Sequence, residues 1–339
     1  MKIGILSSGG DCPGINAAIH GLAKVAMLHY GMEVVGIRNG FQGLLSNDFF
    51  VLDEKIIAGI LNLGGTILGT SREKPFRKSL SLEASDKPRQ IIANYKAMGF
   101  DAIACIGGNG TQKTAYQLSL LGLNIISIPK TIDNDIWGTD ICFGFTSAVN
   151  IATEAIDRLH STASAHKRVM LVEFMGHHAG WITLYAGMAG GADIILIPEQ
   201  AFDLDSIVQE ILRRVSQGKS YIIVAMAEGI DGVKTKGGAA SLSQFIEEQT
   251  GIETRETVLG YVQRGGNPSP YDRNLATRLA GHAAELISKR SFASMVCLKG
   301  DTISSIPLSE VAGKTKLVQA NHDLILQGKR MGVFFGASH

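Results

Sequence analysis

Ala102-Ile103-Ala104-Cys105-Ile106-Gly107-Gly108-Asn109-Gly110-Thr111 and Ile125-Ile126-Ser127-Ile128-Pro129-Lys130-Thr131-Ile132-Asp133-Asn134-Asp135 share one layout: a short apolar run, then a turn rich in glycine or charge. Apolar runs of this length suit strands of a parallel sheet that is covered on both faces. Ligands of open α/β sheets bind outside the carboxyl ends of such strands. The first strand end offers glycines that let a phosphate reach the backbone. The second offers Lys130, Thr131, Asp133 and Asp135: a cation, a hydroxyl and two carboxylates. That set fits phosphoryl transfer, whereas a plain turn has little use for so many charges.

Outward from this pair, strand-like and helix-like patterns alternate. Residues 2–7, 33–37, 102–106, 125–128, 169–174, 193–197 and 221–227 read as strands. Residues 14–30, 87–98, 111–121, 151–161, 178–189 and 203–217 read as helices. The alternation predicts an α/β fold of parallel sheets wrapped by helices. At 339 residues the chain is long for one core, which predicts two domains, the first crossing falling at 138–144. Near the end, 317–327 is expected as a helix and 331–335 as a short strand, with no function attached.

Composition excludes several classes. A net charge of +1 provides no global field for nucleic acid or a membrane surface. No apolar run approaches the ~18 residues of a membrane span. The start, Met1-Lys2-Ile3-Gly4-Ile5-Leu6, enters a strand without a signal-peptide layout. A soluble, cytoplasmic protein is expected. Cys12, Cys105, Cys142 and Cys297 are scattered and form no CxxC pair, so neither disulfides nor zinc are expected.

Two more glycine openings stand out. Ser7-Ser8-Gly9-Gly10-Asp11 joins the first strand to the first helix, where backbone amides offer an anion site. For a lone Gly-Gly a tight strand-to-helix turn is the favoured reading, and the pattern is neither GxGxxG nor a Walker loop. Gly64-Gly65-Thr66-Ile67-Leu68-Gly69-Thr70-Ser71-Arg72 ends in an arginine, with Arg77 close behind. A guanidinium beside such a turn suits a transferring phosphoryl group. Asp133 and Asp135 are two apart, so in an extended segment both lie on one side. One then accepts the proton of an attacking hydroxyl, and the other holds a metal or tunes the first.

Further stretches complete a pattern: Glu154-Ala155-Ile156-Asp157-Arg158-Leu159, Met175-Gly176-His177-His178-Ala179-Gly180, Ala227-Glu228-Gly229 and Glu253-Thr254-Arg255. Leu259-Gly260-Tyr261-Val262-Gln263-Arg264-Gly265-Gly266 and Tyr271-Asp272-Arg273 follow. In order and spacing, from residue 1 to about 290, the chain resembles the 6-phosphofructokinase family. The resemblance implies transfer of the ATP γ-phosphoryl to the 1-hydroxyl of fructose 6-phosphate, with Mg2+. It also implies two similar three-layer α/β/α domains with the active site in the cleft between them. Residues 1–144 plus about 268–314 would form the donor domain, and about 145–267 plus 315–339 the fructose 6-phosphate domain.

By the same resemblance Asp133 is the general base, flanked by Thr131 and Asp135, and Arg72 stabilises the moving phosphoryl. Gly10, Arg72, Arg77, Gly107, Gly108, Asn109, Gly110, Thr111 and Lys130 would bind the donor, and Asn109 and Asp135 the metal. Thr131, Asp133, Met175, Gly176, His177, Glu228, Tyr261 and Arg264 would contact the sugar phosphate. Arg168 and Arg255 would reach the 6-phosphate from a neighbouring subunit, so a homo-oligomer, a tetramer in this family, is expected.

The chain departs from the family pattern at several positions. Asn109 replaces an aspartate associated with magnesium, keeping shape but losing charge. Pyrophosphate-using relatives carry an aspartate where this chain has Gly110, which leaves room for the nucleotide's α-phosphate and favours ATP. Lys130 points the other way, being a feature of pyrophosphate users and of some ATP-using branches. Tyr261 stands for a histidine and His177 for an arginine. His20, Glu54 and His160 stand where effector-binding arginines occur, which predicts little response to ADP or phosphoenolpyruvate. Pyrophosphate-dependent transfer and a catalytically weakened sugar-phosphate-binding homologue are the alternatives.

Overall fold

Burial explains why the apolar runs become strands. Every residue of Ala102–Gly107 and the first six of Ile125–Thr131 are buried, as expected for strands covered on both faces. In the computed structural model, residues 1–77, 86–230 and 238–337 are described. Among them run β1 (Lys2–Ser8), β2 (Glu33–Ile37), β3 (Phe49–Val51), β4 (Ala102–Gly107), β5 (Ile125–Thr131) and β6 (Phe143–Gly144). There follow β7 (Val169–Phe174), β8 (Ile194–Leu196), β9 (Ile222–Ala227), β10 (Thr254–Val258), β11 (Ser294–Lys299) and β12 (Thr302–Pro307).

Contacts divide the chain into two units. The first comprises Met1–Thr131, Ile136–Thr146 and Arg264–Thr315; the second comprises Ile132–Asp135, Ser147–Gln263 and Lys316–His339. In the first, the sheet order is β12-β11-β5-β4-β1-β2-β3, with β6 beside β5. The pairs β1–β2, β1–β4, β4–β5 and β5–β11 are parallel; only the edge strands β3 and β12 run antiparallel. Because β2 and β4 lie on opposite sides of β1, the connection order reverses there, the position at which open α/β sheets bind ligands. In the second unit β10-β7-β9-β8 is parallel throughout. Its core includes Val169, Leu171, Ile194, Val224, Ile207 and Ile246.

Local chemistry sets the helix ends. Asp86 accepts from the Arg89 amide ahead of helix Lys87–Ala97, which carries proline in its first turn. Asp203 accepts from Ser206 ahead of Leu204–Ser216, and Ser269 from Asp272 ahead of Pro270–Ser288. The helix expected over 14–30 is Ile15–Lys24, followed by one wide π-turn, Val25–His29. The helix expected over 317–327 lies instead at Asp323–Arg330, with His322 at its N-cap. Residues 331–335 form no strand; Phe334 makes one isolated bridge to Ile194. No described helix is long and apolar enough to cross a membrane. All four cysteines are buried thiols, and burial raises the Cys12 and Cys105 pKa values well above the ordinary range.

Candidate active site

The registers of β1, β4 and β5 gather the first unit's candidates. Ser8 pairs with Gly107, and Gly107 with Pro129, so β1 and β4 finish level and β5 continues two residues beyond them. β5 runs three residues further than expected, placing Pro129, Lys130 and Thr131 in the strand. Lys130 is buried, and its Nζ donates to the Ser8 carbonyl (3.2 Å) and to the Gly10 carbonyl. Its charge is therefore anchored on the backbone of the first glycine turn. Thr111 Oγ1 donates to the same Ser8 carbonyl at 3.4 Å. A Cβ at Gly107 would come within 2.2 Å of that Thr111 hydroxyl oxygen, so only glycine fits there.

The 64–72 segment is laced to the same turn. Gly9 N donates to Ser71 O (2.9 Å), and Thr70 Oγ1 donates to Gly9 O (2.7 Å). This brings the exposed Arg72 beside Gly9 and Gly10, with exposed Arg77 further along. Arg264 covers Gly10 closely: a Cβ at Gly10 would lie 2.8 Å from its Nη1. Helix Asn109–Leu120 begins at Asn109 behind Gly108, turning its first amides outward. A Cβ at Gly110 would meet no neighbouring atom within 4 Å.

In the second unit, the carboxyl ends of β7 and β9 also finish level, Phe174 opposite Ala227. Met175, Gly176 and His177 follow the first strand and Glu228 the second. Glu228 Oε1 accepts from the Gly176 amide (3.3 Å) and the His177 amide (3.0 Å), fixing a turn in which His177 has φ 55°. Tyr261, in the turn Gly260–Arg264 after β10, is exposed. Arg168 and Arg255 sit at the opposite, amino-terminal edge of this sheet, just before β7 and at the start of β10. One carboxylate joins them. Glu253 takes Arg168 Nε at 2.6 Å on one oxygen and Arg255 Nη2 at 2.7 Å on the other.

Asp133 and Asp135 are half-buried in the Ile132–Asp135 segment of the second unit. The expectation that an extended backbone sets them on one side fails, because the buried Asn134 between them takes φ 51°, a left-handed conformation. Lys316 holds this turn: its Nζ donates to Asn134 Oδ1 (3.1 Å) and its amide to the Asp135 carbonyl (2.8 Å). Reading the sequence alone misses Asn134, Lys316 and Glu253 as site-building residues. A local signal exists for Asn134, since asparagine tolerates the left-handed region.

Comparison with known proteins fits this construction. A phosphofructokinase family profile matches residues 2–287. The chain belongs to the phosphofructokinase family. An ATP-dependent 6-phosphofructokinase 3 of Bacteroides thetaiotaomicron is 62% identical over 99% of this chain and 100% of its own length. An ATP-dependent 6-phosphofructokinase of Spirochaeta thermophila is 52% identical over 98% of this chain and 97% of its own. Among solved structures, phosphofructokinase from Saccharomyces cerevisiae superposes with TM-score 0.82 at 31% identity, covering 91% of this chain and 45% of that one. A pyrophosphate-dependent phosphofructokinase from Marinobacter aquaeolei superposes with TM-score 0.86 at 24% identity over all of this chain and 93% of its own, a likeness of fold alone.

Proposed function

We infer that this chain is an ATP-dependent 6-phosphofructokinase, transferring the γ-phosphoryl of ATP to the 1-hydroxyl of fructose 6-phosphate. The carrying observation is Gly110, at the start of a helix on the switch-point edge of the first sheet. A Cβ there would meet no neighbour within 4 Å, and position 110 itself carries no carboxylate to repel a nucleotide's α-phosphate. The full-length relatives named as ATP-dependent agree with that reading over the pyrophosphate-dependent one. Lys130, whose ammonium is committed to the Ser8 and Gly10 carbonyls, acts as the strut of the donor turn whichever donor it is paired with.

Each residue has a role in this proposal. The amides of Gly107, Gly108, Asn109, Gly110 and Thr111, with Gly10, cradle the donor phosphates; Arg72 and Arg77 balance charge as it develops. Asp133 takes the hydroxyl proton. Met175, Gly176, His177, Glu228, Tyr261 and Arg264 hold the sugar phosphate, and Glu228 also builds the turn that presents Gly176. Magnesium in kinase sites is held by one or two carboxylates together with substrate phosphates and water. The half-buried Asp133–Asp135 pair offers that hard-oxygen chemistry; Asp135 would hold the ion, Asn109 adding an amide in place of a charge. When bound, the ion would neutralise phosphate charge.

Arg168 and Arg255 belong to a neighbour's site in this proposal. They lie at the end of the sheet opposite Met175 and Glu228, separated by the length of β7, about 17 Å at the usual strand rise. The two ends of one sheet do not serve one small sugar phosphate, so a second copy of the chain is the natural recipient, and a tetramer follows the family. ATP and sugar phosphates being cytoplasmic pools, a cytoplasmic location is part of the same proposal.

A coupled assay for fructose 1,6-bisphosphate, with ATP and pyrophosphate compared at matched concentrations, tests the reading. Turnover with ATP alone is expected. Turnover with pyrophosphate alone would overturn the donor assignment, and silence with both, in protein that binds fructose 6-phosphate, would make the chain a binding homologue.

A further inference from the structure

The turn that carries the two carboxylates is tied to a distant part of the chain. Asn134 sits in the left-handed region, where an asparagine is tolerated but gains nothing by itself, and its side chain is buried. A residue 182 positions away supplies the hold. Lys316 Nζ donates to Asn134 Oδ1 at 3.1 Å, while the Lys316 amide donates to the Asp135 carbonyl at 2.8 Å. Side chain and main chain of one residue thus grip two successive residues of the turn.

Lys316 is itself fixed on its far side. The indole Nε1 of Trp181 donates to the Lys316 carbonyl at 3.0 Å, and the ammonium lies 5.4 Å from the Trp181 ring centroid, within cation–π range. Trp181 is buried and opens helix Trp181–Ala189, directly behind the 175–180 turn. Glu199 completes the attachment: its two oxygens accept from the Gly180 amide at 3.0 and 3.1 Å, and Oε1 also accepts from Val318 at 3.0 Å. The 316–318 segment therefore bridges two stretches of the second unit, the 132–135 turn and the foot of the helix that follows the 175–180 turn.

We propose that Lys316 is a positioning residue for phosphoryl transfer: the 316–318 segment is a clip that sets the Asp133–Asp135 turn relative to the 175–180 turn. It acts through Asn134 and the Asp135 backbone. This role rests on the kinase reading above, in which Asp133 is the base and Met175 and Gly176 contact the sugar. A reacting geometry is sensitive to displacements near 1 Å, so a loosened clip appears in turnover before it appears in binding.

The experiment compares K316M, K316R and W181F with the parent by steady-state kinetics, thermal unfolding and amide hydrogen exchange of peptides covering residues 132–136. K316M is expected to lose about 10- to 100-fold in kcat with the KM for ATP changed by no more than about twofold. Its exchange rises in 132–136 while the unfolding midpoint stays close to that of the parent. K316R, keeping a cationic donor, recovers part of kcat, and W181F gives a smaller loss of the same kind. An active parent whose K316M variant keeps kcat within about twofold overturns the clip alone. So does K316M losing kcat only in proportion to a general loss of fold, with W181F and K316R unaffected. A folded parent inactive with both ATP and pyrophosphate overturns the kinase reading, and the clip's role with it.

Discussion

At the level of single residues, the proposed chemistry turns on Asp133, Gly110 and Asn109. Asp133→Ser should cut kcat by ~10²–10⁴-fold while leaving the KM for fructose 6-phosphate nearly unchanged, because a general base acts chiefly in the transition state. Steady-state kinetics over fructose 6-phosphate concentration checks this; a collapse of affinity with surviving turnover would remove Asp133 from the role. Gly110→Asp should selectively weaken ATP use. The added Cβ meets no neighbour within 4 Å, so an unchanged unfolding midpoint beside a raised KM for ATP is the expected pair of results. Asn109→Asp should strengthen magnesium dependence or raise turnover, measured by titrating the metal at fixed ATP. At Gly10 the structure adds a reason absent from the phosphate argument: Arg264 lies where a Cβ would go.

Strands, turns and ion networks were unequally legible. The strands were readable because buried parallel strands advertise themselves as apolar runs with glycine or charge at the exit, as in 102–106 and 125–128, although β5 carries on through Pro129, Lys130 and Thr131. The ties between exits were not, since Lys130 to Gly10 spans 120 positions and Lys316 to Asn134 spans 182. The left-handed Asn134, which makes a turn of an expected extended segment, had only the weak signal that asparagine tolerates that conformation. Leu317 and its neighbours look helical in isolation, yet the backbone there is committed to Asp135, Trp181 and Glu199. A further network of this kind sits at the amino end of β8. Buried Asp193 accepts from Arg214 Nη1 (3.0 Å), the Lys219 ammonium and the Ile223 amide (3.0 Å). Asp193→Ala should cost about 3 kcal/mol in urea unfolding, because Arg214 is left largely buried without this partner; a loss under about 1 kcal/mol would mean Glu210 and the Gly332 carbonyl satisfy it without Asp193.

For the molecule as a whole, two expectations concern assembly and acid. If Arg168 and Arg255 serve a neighbouring copy, Arg255→Ala and Asp133→Ser subunits, each inactive alone, should regain activity when unfolded and refolded together; no recovery would confine both roles to one chain. His20, at a position where the family resemblance places an effector-binding arginine, is partly buried and its pKa is lowered by that burial. A histidine with a depressed folded pKa lends stability while neutral, and that stability is lost as pH falls through the folded value. His20→Gln should therefore lessen the stability loss between neutral pH and mild acid, read from unfolding midpoints across that window. With His20, Glu54 and His160 in place of arginines, ADP and phosphoenolpyruvate should leave the kinetics nearly unchanged, as steady-state assays with and without each effector would check. The four thiols, finally, give the protein its own clock. Cys12, Cys105, Cys142 and Cys297 are each at most 1% exposed, so an aromatic disulfide reagent in solution has nothing to attack in the native fold. Every thiol it titrates then marks a molecule that has opened, and the slow appearance of colour would time unfolding without any label being attached.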